Sequence, residues 1–135
     1  MDSDILINQF LELFPEFHDC YIEHLDLNQE FLGHVFFGDE VATYVEGLLC
    51  ENDDTEQIEK FFNFFEWMAT QTSLYIVQVL STTILYDLGG HTDILKKAQC
   101  YMKPHTKRLS QEIEDLHSGK YFSWNTLLEI RYSRV

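Results

Sequence analysis

The sequence predicts an all-α fold of six to eight helices, arranged as a single-domain bundle or as a short HEAT-like array of antiparallel helix pairs. Apolar residues recur at intervals of three and four along most of the chain, which is the spacing of one helix face. Capping residues, prolines and glycines separate these runs by short intervals. A chain of 135 residues can bury roughly two-thirds of its unfolded surface. We therefore expect residues 1–135 to form one domain.

The most regular stretch is a predicted helical hairpin from Asp53 to Leu88. Asp53 or Asp54 is expected to cap its first arm, with Glu56 or Gln57 three residues further on completing a capping box. The apolar positions of this arm are Ile58, Phe61, Phe62, Phe64, Phe65, Trp67 and Met68. Their spacing covers two sides of a helix, so this stretch is predicted to lie in the core rather than to line a ligand pocket.

The second arm of the hairpin, Leu74 to Leu88, is rich in β-branched residues, which also suit a strand. The arm is long and does not alternate, and Val77, Leu80, Ile84 and Leu88 keep helical spacing. A helix is therefore favoured, capped by Thr72 or Ser73. Gly89 and Gly90 are expected to end it in the left-handed conformation.

The remaining helices are predicted from caps and prolines. A first helix runs from Asp2 or Ser3 to Pro15, and a second covers Phe17 to Leu25. The stretch from Asn28 to Phe37 is either a helix end or a buried loop, and Asp39 is expected to open a third helix.

After the hairpin, Thr92 or Asp93 is expected to cap a helix that Pro104 stops. Pro104 suits the first turn of the next helix, which is predicted to continue to Gly119. Residues 121–135 are either a short terminal helix or a docked tail.

The charge of the chain is large and uneven. The net charge is −14, and residues 1–95 carry nineteen Asp and Glu against the single Lys60, whereas residues 96–135 carry eight Lys and Arg against four acids. A field of this sign repels nucleic-acid phosphates and anionic lipid and attracts cationic partners. We expect no nucleic-acid or membrane partner and a basic protein partner.

The cysteines and the hydropathy pattern indicate a cytoplasmic protein. Cys20, Cys50 and Cys100 are odd in number and widely spaced, so reduced thiols are expected rather than disulfides or a zinc site. The acidic N-terminus lacks the basic region of a signal peptide. Polar residues interrupt the longest apolar run, which argues against a membrane span.

The strongest candidate for catalysis or metal binding is a histidine-rich stretch on the predicted second helix. Its members are His18, Asp19, Cys20, Glu23 and His24. Cys20, Glu23 and His24 lie within one turn of each other and could converge on a metal. His18 and His24 do not share a face, however, and acidic neighbours disfavour a reactive thiolate. We expect no enzyme activity, no metal and no cofactor, and we expect His34 to be a hydrogen-bonded core residue.

A second candidate site is an acidic corner between the predicted third helix and the hairpin. Its residues are Asp39, Glu40, Glu46, Glu51, Asp53, Asp54, Glu56 and Glu59. They form either a solvated helix face or a docking surface for a basic protein, because carboxylates that face Lys and Arg raise the association rate and the specificity. The second interpretation makes these eight residues the predicted partner-binding set.

Four segments of the chain carry a resemblance to a known group of proteins. They are Leu32 to Asp39, the phenylalanine-rich Ile58 to Met68, Ile84 to Leu88, and Met102 to Leu109 with its Thr106-Lys107-Arg108. In these segments the chain resembles small, acidic, all-helical bacterial proteins, uncharacterised or immunity-like, that occur near polymorphic toxin systems. The resemblance implies no catalytic residues.

The function that this resemblance implies is neutralisation of a cognate toxin, often a cationic nuclease, by covering its active site. The acidic balance of the chain agrees with it, because such a surface imitates nucleic acid in sign. The alternatives are a cytoplasmic adaptor or regulatory module and, from another class, a metal-binding enzyme that uses His18, Cys20, Glu23 and His24.

Overall fold

The computed structural model describes residues 2–51 and 54–117, and every regular element in these two ranges is helical. The predicted all-α class is therefore confirmed. Asp53 and the predicted tail 121–135 lie outside the described residues. The elements in chain order are α1 (Asp2–Leu13), a 3₁₀ turn (Pro15–Phe17), α2 (His18–Asn28), the composite α3 (Gly33–Phe36, Phe37–Ala42, Thr43–Glu51), α4 (Thr55–Ala69), the composite α5 (Leu74–Gln78, Val79–Leu85, Tyr86–Leu88), α6 (Thr92–Tyr101) and α7 (Pro104–His117).

The predicted hairpin is formed by α4 and α5. Both caps follow the sequence signals: Asp54 Oδ1 accepts from the backbone N–H of Gln57 at 3.1 Å, and Ser73 Oγ accepts from that of Ile76 at 3.3 Å. Each cap satisfies a donor that the first helical turn leaves without a partner. The buried residues of α4 are Ile58, Phe61, Phe62, Phe64, Phe65 and Met68. The phenylalanine stripe is therefore core, as predicted.

Phenylalanine rings connect the hairpin to the N-terminal helices. The ring centroid of Phe10 in α1 lies 4.9 Å from that of Phe14, 5.1 Å from that of Phe37 in α3 and 5.4 Å from that of Phe64 in α4. Phe14 stacks in turn on Phe61 at 4.3 Å. These rings are fully buried, so one aromatic cluster joins α1, α3 and α4.

The helix α3 begins six residues earlier than predicted, at Gly33 instead of Asp39. The apolar residues Val35, Phe36 and Phe37 have no polar break among them, so this run becomes the first turns of the helix and Phe36 and Phe37 enter the core. The ambiguous stretch before Phe37 is therefore mostly helical.

The middle portions of α3 and α5 are π-helical, at Phe37–Ala42 and Val79–Leu85, and they pack against each other. A Cβ atom on Gly38 would lie 3.1 Å from Cγ2 of Thr83, so glycine allows the two backbones to approach. In α5 the Thr82 hydroxyl donates to the carbonyl of Gln78 at 2.7 Å, a competing bond that bends helices. The sequence pattern predicted neither segment.

The turn after α5 does not have the predicted left-handed glycines. Gly89 has φ −73° and ψ −8°, within the right-handed helical region. Close packing favours a glycine at position 89 instead, because a Cβ there would lie 2.9 Å from Oε2 of Glu114 and 3.3 Å from the carbonyl oxygen of Leu85. Among the described non-glycine residues, only Gln29, at the end of α2, has a positive φ of 68°. The following helix α6 begins at Thr92 itself, and His91 occupies its cap position without a side-chain bond.

The helix α7 begins at Pro104, as predicted, and a single carboxylate holds its first turn against α4. Glu66 Oε1 accepts from the backbone N–H and the hydroxyl of Thr106, both at 3.0 Å. Glu66 Oε2 accepts from the backbone N–H of His105 at 3.2 Å and contacts its Nδ1 at 2.6 Å. Burial by itself would raise the pKa of Glu66, but these hydrogen bonds lower it.

Candidate interaction surface

The structure distributes the predicted acidic residues over two helices. Asp39 and Glu40 are exposed in the π-helical part of α3, and the partly exposed Glu46 and the exposed Glu51 follow in the same helix. The N-cap of α4, Asp54, is exposed, as are Glu56 and Glu59 in its first two turns, and Asp53 lies outside the described residues.

The early start of α3 separates these residues along the helix. Asp39 and Glu40 lie near its second turn and Glu51 at its end, which corresponds to about 17 Å along the axis. Among the seven described members of the set, Glu51, Asp54 and Glu56 lie at the junction of α3 and α4. These seven residues therefore form more than one neighbourhood, and the role of the predicted set in binding a partner stays a prediction.

Asp39 and Glu46 of α3 lie beside Asp87 of α5. Burial raises the pKa of Asp87, and the negative charge of Asp39 raises it further. Burial also raises the pKa of Glu46. Of its charged neighbours, His91 lowers this pKa and Asp87 raises it. Carboxylates are thus held close together on the α3 and α5 faces at the expense of their hydration. Asp87 was not predicted as a site residue, because only the packing of α3 on α5 brings it to Asp39.

Glu40 contacts the thiol of Cys20 on α2. Burial, the hydrogen bond from the thiol to the Glu40 carboxylate and the negative charges of Glu40 and Glu23 raise the pKa of Cys20 to about 12. A thiol in this setting remains protonated near neutral pH and is a poor nucleophile. The geometry does not support the alternative that uses Cys20 as a catalytic or metal-binding thiolate.

His24 is buried and has a structural role in the same region. Its Nε2 accepts from the backbone N–H of Leu32 at 3.0 Å, and its Nδ1 lies 3.2 Å from Nδ2 of Asn28. The Nε2 atom is thus engaged within the fold as an acceptor. Within residues 2–51 and 54–117, no group of three or more His, Cys, Asp and Glu side chains could hold a metal ion.

His34 is hydrogen-bonded as predicted, but it is exposed rather than part of the core. Its Nδ1 lies 2.6 Å from Oγ1 of Thr83 and so connects the start of α3 to α5. Partial desolvation lowers the pKa of His34. The contact joins the two helices and needs no ligand to account for it.

Glu59 lies apart from the α3 residues, at a polar groove between α4 and the end of α6. The groove has a volume of about 340 Å³ and is lined by Glu59, Asn63, Cys100, Tyr101, Met102 and Lys103. Lys103 thus brings a positive charge to the groove that Glu59 lines.

Residues 7–118 match the model of a family described as a domain of unknown function, DUF7674. The chain belongs to the DUF7674 family. No curated protein and no solved structure matches the chain. The description of the DUF7674 family assigns no activity, so the resemblance to immunity-like proteins stays a prediction. Within the described part of this DUF7674 chain, no helix is both long enough and apolar enough to cross a bilayer.

Proposed function

We propose that this protein is an immunity-type binding protein that neutralises a cationic toxin domain, most simply a nuclease, by direct contact through an acidic surface. It acts in the cytoplasm and uses no cofactor. The toxin contributes the positive charge that normally holds phosphates, and the acidic surface occupies that site.

One observation carries this proposal. Twelve acidic residues occur between residues 2 and 51, eleven of them are exposed, and no Lys or Arg precedes Lys60. Lys60 itself lies over the ring of Phe14, with its amine 4.7 Å from the ring centroid. The helices α1, α2 and α3 therefore contain no lysine or arginine of their own. Such an acidic surface attracts a basic partner from a distance and accelerates its association.

The test compares two charge reversals that change the net charge equally. Asp39→Lys with Glu40→Lys alters the middle of α3, whereas Glu51→Lys with Glu56→Lys alters its junction with α4, and each pair brings the net charge from −14 to −10. Asp54 is left unchanged because it caps α4. A difference between the two variants then reports the position of the interface rather than the total charge.

Where a neighbouring gene encodes a toxin domain, the assay is co-expression with that domain, together with association rates measured on the purified pair. The unmodified protein should restore growth, and the reversal that falls within the interface should slow association about tenfold or more. Association should also weaken as salt rises, since exposed charges are screened beyond about 8 Å at physiological ionic strength. Full rescue by both folded variants, with salt-independent association, would refute the acidic surface as the interface.

A further inference from the structure

Three aliphatic side chains near the turn from α2 to α3 are exposed. Leu27 exposes 83% of its surface, Val35 exposes 41% and Leu32 exposes 36%. We call Leu27, Leu32 and Val35 the α2–α3 patch. Single exposed aliphatic residues are ordinary, whereas a contiguous group of them is typical of an interaction surface.

The contacts between α2 and α3 bring the three residues of the patch to one seam. His24 of α2 binds the backbone N–H of Leu32, and Cys20 of α2 meets Glu40 of α3, so the two helices run antiparallel along each other. Leu27 comes two helical turns after Cys20, and Val35 comes about one turn before Glu40. Both therefore lie at the Leu32 end of this seam.

The backbone under the patch is fixed by local bonds. The Asn28 side-chain amide donates to the carbonyl of His24 at 3.0 Å, and the N–H of Gln29 donates to that of Leu25 at 2.8 Å, which closes the end of α2. Gly33 packs against the hydroxyl of Tyr75, so a side chain at this position would have to displace the tyrosine. A surface fixed before binding loses little conformational entropy when a partner docks.

The rim of the α2–α3 patch is acidic. Glu23 and Asp26 on α2, Glu30 in the turn and Asp39 on α3 are all exposed. No lysine or arginine occurs among the first 59 residues of the chain. An apolar centre with a rim of one sign is complementary to a segment that has apolar side chains flanked by Lys and Arg.

We infer that the α2–α3 patch is the docking site for a cationic amphipathic segment of the protein partner. The apolar side chains of that segment cover Leu27, Leu32 and Val35, and its Lys and Arg side chains face the acidic rim. This inference rests on the proposed function and specifies which part of the acidic surface makes the contact. A second copy of the chain is disfavoured as the occupant, because it would bring two acidic rims together.

The experiment uses two synthetic fluorescent peptides with the full-length protein. One peptide, of about eighteen Leu and Lys residues, has its leucines at helical spacing, and the other has the same composition in an order without an apolar face. The test variant is Leu27→Ser with Val35→Ser. The matched control is Ile5→Ser with Leu13→Ser, which removes two other exposed aliphatic side chains, on α1.

The test variant should bind the amphipathic peptide about tenfold more weakly than the unmodified protein, whereas the control should stay within about twofold. Circular dichroism should be the same for all three proteins, because the substituted side chains are exposed. The reordered peptide should bind all three proteins weakly and equally.

Several outcomes would overturn the inference, and they separate it from the proposed function. Equal binding of both peptides to all variants, lost at high salt, would leave charge alone as the cause and would retain the proposed function. An equal loss in the control variant would place the apolar contact outside the patch. Self-association of the unmodified protein that Leu27→Ser abolishes would make a second copy the occupant. Failure of both peptides to bind at low salt would count against both proposals.

Discussion

The helices α4 and α2 both contain several apolar residues but use them in opposite ways. In α4 the spacing is helical, and six apolar side chains are buried. In α2 Ile22 and Leu25 share one side of the helix, Leu27 lies on another, and His24 is the buried residue of the helix. Apolar residues that are in phase with the helix form the core, whereas those out of phase remain on the surface, where a partner can reach them.

The largest expected effect comes from truncating apolar residues in the two helices. Phe62→Ala or Phe65→Ala should lower the free energy of unfolding by about 3–5 kcal/mol, because each removes a fully buried ring. Leu27→Ala should change it by less than about 0.5 kcal/mol, because that side chain is mostly exposed. Urea denaturation checks the contrast.

The opposite result would contradict the contrast between the buried residues of α4 and the exposed residues of α2. If both phenylalanine variants lost less than about 1 kcal/mol, the stripe on α4 would be exposed and could itself bind a partner. If Leu27→Ala lost as much as Phe62→Ala, α2 would be a core helix, and the α2–α3 patch would not be free for docking.

The same contrast explains how far the sequence predicted the fold. The hairpin, its Asp54 and Ser73 caps and the start of α7 at Pro104 follow from residues close together in the chain, so local rules predicted them. The π-helical segments and the glycine at position 89 depend on neighbours from distant helices. The sequence spacing does not contain that information.

The positions of the acidic residues were predicted less well than the fold, because the sequence does not show which charged side chains lie close together in space. The acidic residues of α3 were expected at one corner, but the helix begins at Gly33, and Asp39 lies beside Asp87 instead. The exposed Leu27 could have been noticed from the weak periodicity of α2. Its proximity to Leu32 required the bond from the backbone N–H of Leu32 to His24.

The next largest effect concerns acidic residues on the same two helices. Glu66→Gln should cost about 1–3 kcal/mol, because the amide replaces one of two oxygens that accept from His105 and Thr106. Glu23→Gln on the exposed side of α2 should change stability by less than about 0.5 kcal/mol. Thermal unfolding of the two variants measures both values. Equal losses would mean that the acidic side chains of α2 also hold the fold together.

Two glycines of α3 test whether the α2–α3 patch has a rigid base. Gly33→Ala should destabilise the protein by about 1–3 kcal/mol, because the new Cβ would fall 1.9 Å from the hydroxyl oxygen of Tyr75. Gly47→Ala has no atom within 4 Å of its Cβ and should stabilise the helix by about 0.5–1 kcal/mol. Chemical denaturation gives both values. A neutral Gly33→Ala would mean that Tyr75 moves readily and that the patch is not pre-formed.

The smallest expected effect is that the ionised carboxylates of Glu66 and Asp87 change the stability in opposite directions. The hydrogen bonds to Glu66 outweigh the effect of its burial and hold its pKa below the ordinary value of 4.5, so the stability that it contributes is present above 4.5 and is lost as the pH falls through the lowered pKa. Burial and the charge of Asp39 raise the pKa of Asp87 above 3.8, so its ionisation costs stability above that pH. The last turn of α5 is also an unfavourable position for a negative charge.

Asp87→Asn should therefore raise the unfolding midpoint slightly at neutral pH. This gain should vanish below pH 3.8, where the Asp87 carboxyl is protonated and is as neutral as the asparagine that replaces it. The Glu66→Gln deficit should instead be largest at neutral pH and shrink in acid. Asp93→Asn is the matched control, because Asp93 lies in the first turn of α6, where the helix dipole favours a carboxylate, and its removal should give no gain. Urea midpoints measured for the three variants across the acid range provide the comparison. A loss of stability in Asp87→Asn at neutral pH would show that its carboxylate is paired rather than repelled, and that the α3 and α5 faces do not hold opposed negative charges.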